Sequence, residues 1–302
     1  MSGARRYVTV DVFTDRVFGG NPLAVVLDAE ALTTAQMQSI AAEFNYSETT
    51  FVLPARAPEH SANVRIFTPR REVPFAGHPN VGTALVLARE IESKGQPCPH
   101  RMVFEEAAGL VPMSLLREGG EVVGAELTAP QPLAVGASLS AEDAAACLSL
   151  DPGDVMTATH PPQVASVGLP FLVTELRSRE ALRRAKPVLA THDRILPPVG
   201  TDSVFAYVRG SAPGELHARM FSPLDAVVED PATGSATAAT IALLASISLD
   251  NDSELTWRIE QGVDMGRPSL LLGRTSRRGG QVESVYIAGH AVPIMQGVLR
   301  VC

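Results

Sequence analysis

Asp230-Pro231-Ala232-Thr233-Gly234-Ser235, with the run Ala236 to Leu249 behind it, decides the fold. The first six residues read as a tight polar turn. They bring a carboxylate, a hydroxyl and exposed backbone N–H groups to one point. The run that follows is Ala, Thr, Ser, Ile and Leu, with no charge before Asp250. A helix that is apolar all round is a buried helix. Its N-terminus carries unpaired N–H groups and partial positive charge, which suit a carboxylate or phosphate. A buried helix opening on a polar turn is where chemistry is expected.

The same construction occurs once more. Arg65-Ile66-Phe67-Thr68-Pro69 leads to Ala76-Gly77-His78-Pro79-Asn80 and then to an apolar run from Val81 to Ala88. Arg219-Met220-Phe221-Ser222-Pro223 leads likewise to Thr233-Gly234-Ser235. The offset is about half the chain, longer than the roughly 20–50 residues of a solenoid repeat. Two pseudo-equivalent domains are therefore expected.

Bulk properties narrow the class. A chain of 302 residues, 45% hydrophobic and 19% charged, suits a well-packed pair of domains. A formal net charge of -8 argues against a nucleic-acid partner, which needs a basic face. Arg183-Arg184 and Arg277-Arg278 read as solvated surface. No apolar run approaches the roughly 20 residues of a membrane span. Arg5-Arg6 run directly into the strand pattern Tyr7-Val8-Thr9-Val10, so a cytoplasmic protein is expected. Cys98, Cys147 and Cys302 lie far apart, too few and too scattered for a disulfide framework or a zinc site.

Taken in order, residues 7–13 alternate as a strand, Phe18-Gly19-Gly20-Asn21-Pro22 turns, and Leu23 to Leu27 forms a second strand. Thr33 or Thr34 caps a helix through Phe44. Glu48 falls at the junction of Asn45-Tyr46-Ser47-Glu48 with the strand Thr49 to Leu53. Partial burial there would raise its pKa toward the range useful for proton transfer. Read alone, however, Glu48 is first an exposed strand-edge residue. Strands at 64–67 and 102–128 flank a buried helix from Asn80 to Ile91. Pro130 to Gly136 is the expected boundary. A helix opens at Ser140 and runs to Leu148. A second opens at Ser178 and runs to Ala185. Strands follow near 164, 171–176, 204–208, 216–221, 257–261, 269–272 and 282–288. Strands outnumber helices and hairpin turns are common, so the class is α+β with mainly antiparallel sheet.

Several chemistries lack their motifs. Neither a dinucleotide-binding nor a P-loop glycine pattern is present. No H-E-x-x-H occurs and the seven histidines are scattered, so no metal site is expected. The lysines, Lys94 and Lys186, sit at loop signals, which disfavours a pyridoxal phosphate linkage. Gly234-Ser235-Ala236 is no nucleophile elbow. Acid–base chemistry by carboxylate, imidazole and hydroxyl groups, with no cofactor, remains.

Six stretches now form a set: Gly20-Asn21-Pro22-Leu23-Ala24-Val25, Asn45-Tyr46-Ser47-Glu48-Thr49, Phe67-Thr68-Pro69, Pro74-Phe75-Ala76-Gly77-His78-Pro79, Asp230-Pro231-Ala232-Thr233-Gly234-Ser235 and Gly266-Arg267-Pro268-Ser269. In this order they resemble the phenazine-biosynthesis PhzF-like isomerase family. The resemblance implies the diaminopimelate-epimerase-like fold: two similar domains, each a mainly antiparallel sheet around a central helix, with the active site in the cleft between them. The expected domains are 1–129 with about 292–302, and 130–291.

The resemblance also implies roles. Glu48 is the expected general base. His78, Asp230 and Ser235 are its expected catalytic support, binding the amino and carboxylate groups of a small acidic substrate. Gly77, Gly234, Thr233 and Asn21 are expected to bind substrate. Alone, His78 and Asp230 read as helix-capping residues. A homodimer is implied as well. Two-cysteine racemases of the same fold carry a cysteine at each helix start. Ala76 and Thr233 occupy those positions here, which favours proton relocation by one base. An epimerase or lyase on the same scaffold, and a non-catalytic binding protein, are the competing readings.

Overall fold

The computed structural model describes residues 3–225 and 227–301. The chain folds as two units, 1–130 with 288–302, and 131–287. Cys302, named above among the cysteines, lies outside the described residues.

The first unit contains β1 (Gly3–Val12), β2 (Asn21–Val26), α1 (Thr34–Phe44), β3 (Glu48–Leu53), β4 (Ala62–Phe67), β5 (Glu72–Val73), α2 (Gly77–Ser93), β6 (Arg101–Glu106), β7 (Gly109–Glu118) and β8 (Glu121–Thr128). Strand β1 pairs antiparallel with β2, β2 parallel with β3, and β3 antiparallel with β4. Strand β4 then pairs antiparallel with β5 and parallel with β6; β6, β7 and β8 follow as an antiparallel meander. Helix α2 lies against β1, β2, β3, β7 and β8 and is buried from Gly77 to Val86. It approaches the sheet closely at Gly82. A Cβ there would sit 2.6 Å from Leu23 and 2.8 Å from Val10 and Val12. Helix α1 covers the outer face. Its Thr33 cap forms a capping box with Gln36, and Met37 and Ala41 pack with Phe51 and Phe67.

The second unit repeats the path. It contains β9 (Ala134–Ser138), α3 (Ala141–Cys147), β10 (Gln163–Ser166), β11 (Pro170–Glu175), α4 (Arg179–Arg184), α5 (Leu189–Ile195), β12 (Val204–Arg209), β13 (Glu215–Ser222), β14 (Val227–Asp230), α6 (Gly234–Ser246), β15 (Ser253–Gln261) and β16 (Ser269–Arg278). Antiparallel β10–β11, parallel β11–β12, antiparallel β12–β13 and β13–β14, parallel β13–β15 and antiparallel β15–β16 reproduce the first unit pairing for pairing. Helix α6 lies against β10, β11, β15 and β16, while α3, α4 and α5 build an outer core with Leu172, Leu176, Val204 and Phe221. A final strand, β17 (Gln281–Val301), carries the chain on, and residues 291–301 pair with β1 in the first unit.

The repeated Arg-x-Phe-Ser/Thr-Pro motif has a physical basis. Arg65 makes two hydrogen bonds to the Glu72 carboxylate and stacks on Phe67; Arg219 does the same with Glu229 and Phe221. Each fork ties the strand before the turn to the segment leading into the central helix.

Three local readings change. Arg277 is not solvated: it is 3% exposed, and its guanidinium donates to the carbonyls of Ser246, Ser248, Asp250 and Gly280. The end of α6 leaves carbonyls without helical partners, and a five-donor guanidinium collects them. The helix accordingly ends at Ser246 rather than Leu249, and Leu249 is exposed. The segment containing the Pro130–Gly136 boundary includes the start of β9, which pairs with β10. Among the described residues no helix is long and apolar enough to cross a membrane.

Candidate active site

Three outer helices begin differently from the two central ones. Thr33, Ser140 and Ser178 cap α1, α3 and α4 by accepting a backbone N–H. Neither central helix has such a cap: α2 starts after Ala76, which has no hydroxyl, and α6 starts after Thr233 with no side-chain cap. A capping side chain stabilises a helix by roughly 1 kcal/mol. Both central helices forgo that stabilisation.

In the first unit, β2 and β3 run parallel and start at the same end of the sheet, with Leu23 opposite Glu48. Asn21 and Glu48 therefore emerge together, and His78, on the first turn of α2, meets both. The Nδ2 of Asn21 is 3.3 Å from Nδ1 of His78, and Ser47 Oγ donates to Oδ1 of Asn21 at 3.4 Å. With the amide so placed, one tautomer fits. The amide oxygen faces the Ser47 hydroxyl, so its NH2 faces the imidazole. Nδ1 accepts, and Nε2 carries the proton. That nitrogen lies 3.6 Å from Oε2 of Glu48, near but beyond a hydrogen bond, and has no hydrogen-bond partner of its own. Burial depresses the His78 pKa to about 3, so the ring is neutral at neutral pH. The Glu48 side chain is 20% exposed, against 4% for His78. It is a partly buried carboxylate facing a neutral N–H donor.

In the second unit, Asp230 ends β14, and Thr233 precedes α6. Thr233 Oγ1 donates to Oδ2 of Asp230 at 2.5 Å. Gln261, at the end of β15, closes the turn. Its Oε1 accepts from Thr233 N at 3.1 Å, while Nε2 donates to Asp230 O at 2.8 Å and to Thr233 Oγ1 at 3.1 Å. Gly262 follows at φ 72°; a Cβ there would lie 2.6 Å from Pro231 O and closer still to Arg267 O. Gly262 thus lets the Gly266-Arg267-Pro268 segment approach the turn. Gly234 and Ser235 are the first two residues of α6, as Gly77 and His78 are of α2.

The structure thus brings Asn21, Glu48, Gly77 and His78 together in one unit and Asp230, Thr233, Gly234 and Ser235 in the other. Sequence reasoning misses Gln261. It lies 28 residues from Thr233, and its clamp on the turn has no local signature. Among the described residues, no group of three or more His, Cys, Asp or Glu side chains is placed to hold a metal ion.

Residues 10–297 match the family described as phenazine biosynthesis-like protein. An uncharacterised isomerase of Mesorhizobium japonicum is 38% identical over 98% of each chain. The trans-2,3-dihydro-3-hydroxyanthranilate isomerase of Pseudomonas chlororaphis is 35% identical over 97% of this chain and 98% of its own. The crystal structure of a Bacillus anthracis phenazine biosynthesis protein of the PhzF family, 24% identical, shares the fold: the TM-score is 0.86, covering 99% of this chain and 100% of that one. With its duplicated epimerase-like α+β fold and relatives named as isomerases along its whole length, the chain is an isomerase belonging to the phenazine biosynthesis-like PhzF family.

Proposed function

We propose that the enzyme relocates a proton on a small carboxylate-bearing metabolite, with Glu48 as the single base. Glu48 as carboxylate takes a proton from a saturated carbon. The electron pair of the broken C–H bond passes into the adjoining unsaturated system, and protonated Glu48 returns the proton at another carbon. Atoms and charge balance without a redox partner. His78, neutral with its proton on Nε2, donates a hydrogen bond to substrate where negative charge develops. A neutral imidazole suits this role because it does not lower the basicity of the adjacent carboxylate as an imidazolium would. The uncapped starts of α2 and α6, at Gly77 and Gly234, offer backbone N–H groups to acidic substituents. Asp230 and Ser235 hold the amino and carboxylate groups, and Thr233 and Asn21 fix the groups that touch them.

One observation carries the choice of a single base. The repeated motif sets the register: Phe67 stands opposite Thr49 as Phe221 stands opposite Val204, which makes Ser203 the counterpart of Glu48. The second copy of the architecture offers a hydroxyl, hydrogen-bonded to Ser222, where the first offers a carboxylate. Inversion at one carbon by two opposed bases has no support from that position.

The substrate class closest to hand is the one named for the Pseudomonas relative, a dihydro-hydroxyanthranilate; amino and hydroxy acids complete the panel. Each compound is incubated in deuterium oxide with wild type and Glu48→Gln and followed by NMR. Wild type is expected to shift a double bond, with deuterium at the new saturated carbon to the extent that protonated Glu48 exchanges with solvent before returning its proton, and the variant to be about 10³-fold slower at unchanged fold. Activity within tenfold of wild type in Glu48→Gln would remove Glu48 from its role. Inverted or eliminated products would replace relocation by epimerase or lyase chemistry.

A further inference from the structure

Glu105 and Glu106 are adjacent on β6, and a strand turns successive side chains to opposite faces. Their surroundings differ completely. The Glu105 carboxylate accepts from the backbone N–H groups of Arg56 and Ala57 and meets His60 Nδ1 at 2.7 Å, and these contacts hold its pKa down to about 2. Both oxygens of Glu106 are buried, and neither has a hydrogen-bond partner. Beside it is Asn80, fully buried on the first turn of α2. Nδ2 of Asn80 donates to the carbonyl of Ala76, the residue before the helix, at 2.9 Å. Oδ1 of Asn80 has no donor. Two buried groups therefore lack partners, and one proton answers for both. A protonated Glu106 has an O–H to offer, and the amide oxygen of Asn80 beside it is an acceptor without a donor. The end of β6 and the approach to α2 are already joined by Ala108 N donating to Pro74 O at 3.0 Å.

We infer that Glu106 is kept as a neutral acid and, through Asn80, fixes the turn that presents Gly77 and His78, which makes it a positioning residue for the site. The inference rests on reading that turn as part of the active site. Burial pushes the Glu106 pKa up to about 8, and the Asn80 amide works against this more weakly. The charged groups around it are otherwise engaged. Glu105 turns to the opposite face with His60 and Arg56; Arg65 and Glu72, on β4 and β5, hold each other; His78, on α2, is neutral. Strand β7 adds no charge at this end: from Gly109, opposite Glu106, to Leu116 it has no titratable side chain. Ionisation of Glu106 removes the O–H that Asn80 Oδ1 can accept and leaves a buried carboxylate in its place. The turn loosens.

The test uses the intact chain. Infrared difference spectra of wild type against Glu106→Gln report the Glu106 carboxyl directly, and amide hydrogen exchange reports the turn at residues 77–81. A protonated carboxyl band at about pH 6 that disappears through about pH 8 is expected. Protection of the turn, corrected for the intrinsic rate, should fall about tenfold over the same range in wild type and stay level in Glu106→Gln, whose amide keeps a donor. Glu106→Leu, which removes both donor and charge, should give pH-independent protection about tenfold weaker than that of wild type at the acidic end. In turnover, wild type should lose rate as Glu106 ionises, and this loss should be absent from Glu106→Gln, whose rate at the acidic end stays within about threefold of wild type. A carboxylate already ionised at the acidic end, or the same fall of protection in Glu106→Gln, would overturn the inference. Should the Gln variant not fold, isotope-labelled wild type and Glu106→Leu give the same infrared decision. Failure of turnover in every protein, wild type included, would strike the proposed reaction and leave the spectroscopic and exchange results to judge Glu106.

Discussion

The start of α2 and the start of α6 are two versions of one construction with different polar wiring. At α2 the chain runs from Ser47 to Asn21, from Asn21 to His78, and then to an imidazole N–H that stops 3.6 Å from Glu48. At α6 Thr233, Asp230 and Gln261 join one another through four hydrogen bonds. The difference matches the proposed division of labour. A turn that must answer charge appearing on a substrate needs a donor the fold has not consumed, and Nε2 of His78 is one. A turn that only holds a substrate in place gains from being locked. The two helix starts share a backbone plan and diverge in what their side chains leave available.

The comparison can be broken at either end. The largest effect is expected from Gln261→Ala. It strips the partners from Thr233 N and from the Asp230 carbonyl in a buried turn, at a cost of about 3 kcal/mol in denaturant unfolding. A loss below about 1 kcal/mol would mean that the second turn is no more locked than the first. The next effect separates the two helix seats. Gly82→Ala drives a methyl group into Leu23, Val10 and Val12 together and should cost about 2 kcal/mol, whereas Gly273→Ala meets chiefly the tip of Ile241 at 2.6 Å and should cost about 1 kcal/mol. Equal melting shifts would show that the helices are seated alike. The smallest effect tests the α2 turn. His78 is held neutral by burial, so as pH falls below the ordinary 6.5 the unfolded chain takes up a proton there before the folded one does. Wild type should therefore lose about 1 kcal/mol between about pH 7 and pH 5.5 that His78→Gln does not. Parallel stability curves for the two proteins would place a charged imidazole in the turn.

Much of this architecture is legible in the chain. The repeated Arg-x-Phe-Ser/Thr-Pro stretches announce the duplication, because the arginine and the ring beneath it are written two residues apart and the glutamate follows within ten. The Thr33 cap and the strand beginning beside Glu48 are legible for the same reason. What escapes depends on residues distant in sequence. Gln261 reaches back across a strand and a helix. Arg277 resembles surface because its partners are carbonyls, which no side-chain pattern announces. Helix α5 follows Lys186-Pro187, where a loop is the simpler reading, and β9 hides in a Pro-rich segment because its partner β10 lies beyond a helix. Glu106 reads as one more charged strand residue until its neighbours on α2 are known.

Strand β1 has a consequence for how the protein is made. It is held on one side by β2, immediately downstream, and on the other by β17, with Met295 N donating to Thr9 Oγ1 across 286 residues of chain. During translation the first strand therefore waits, one edge without its partner, until the chain as far as β17 is synthesised. Contacts of such long range are slow to form, and an open edge invites pairing with other chains. On the ribosome the first unit is an assembly missing its last piece, exposed to aggregation at an edge that the finished fold conceals.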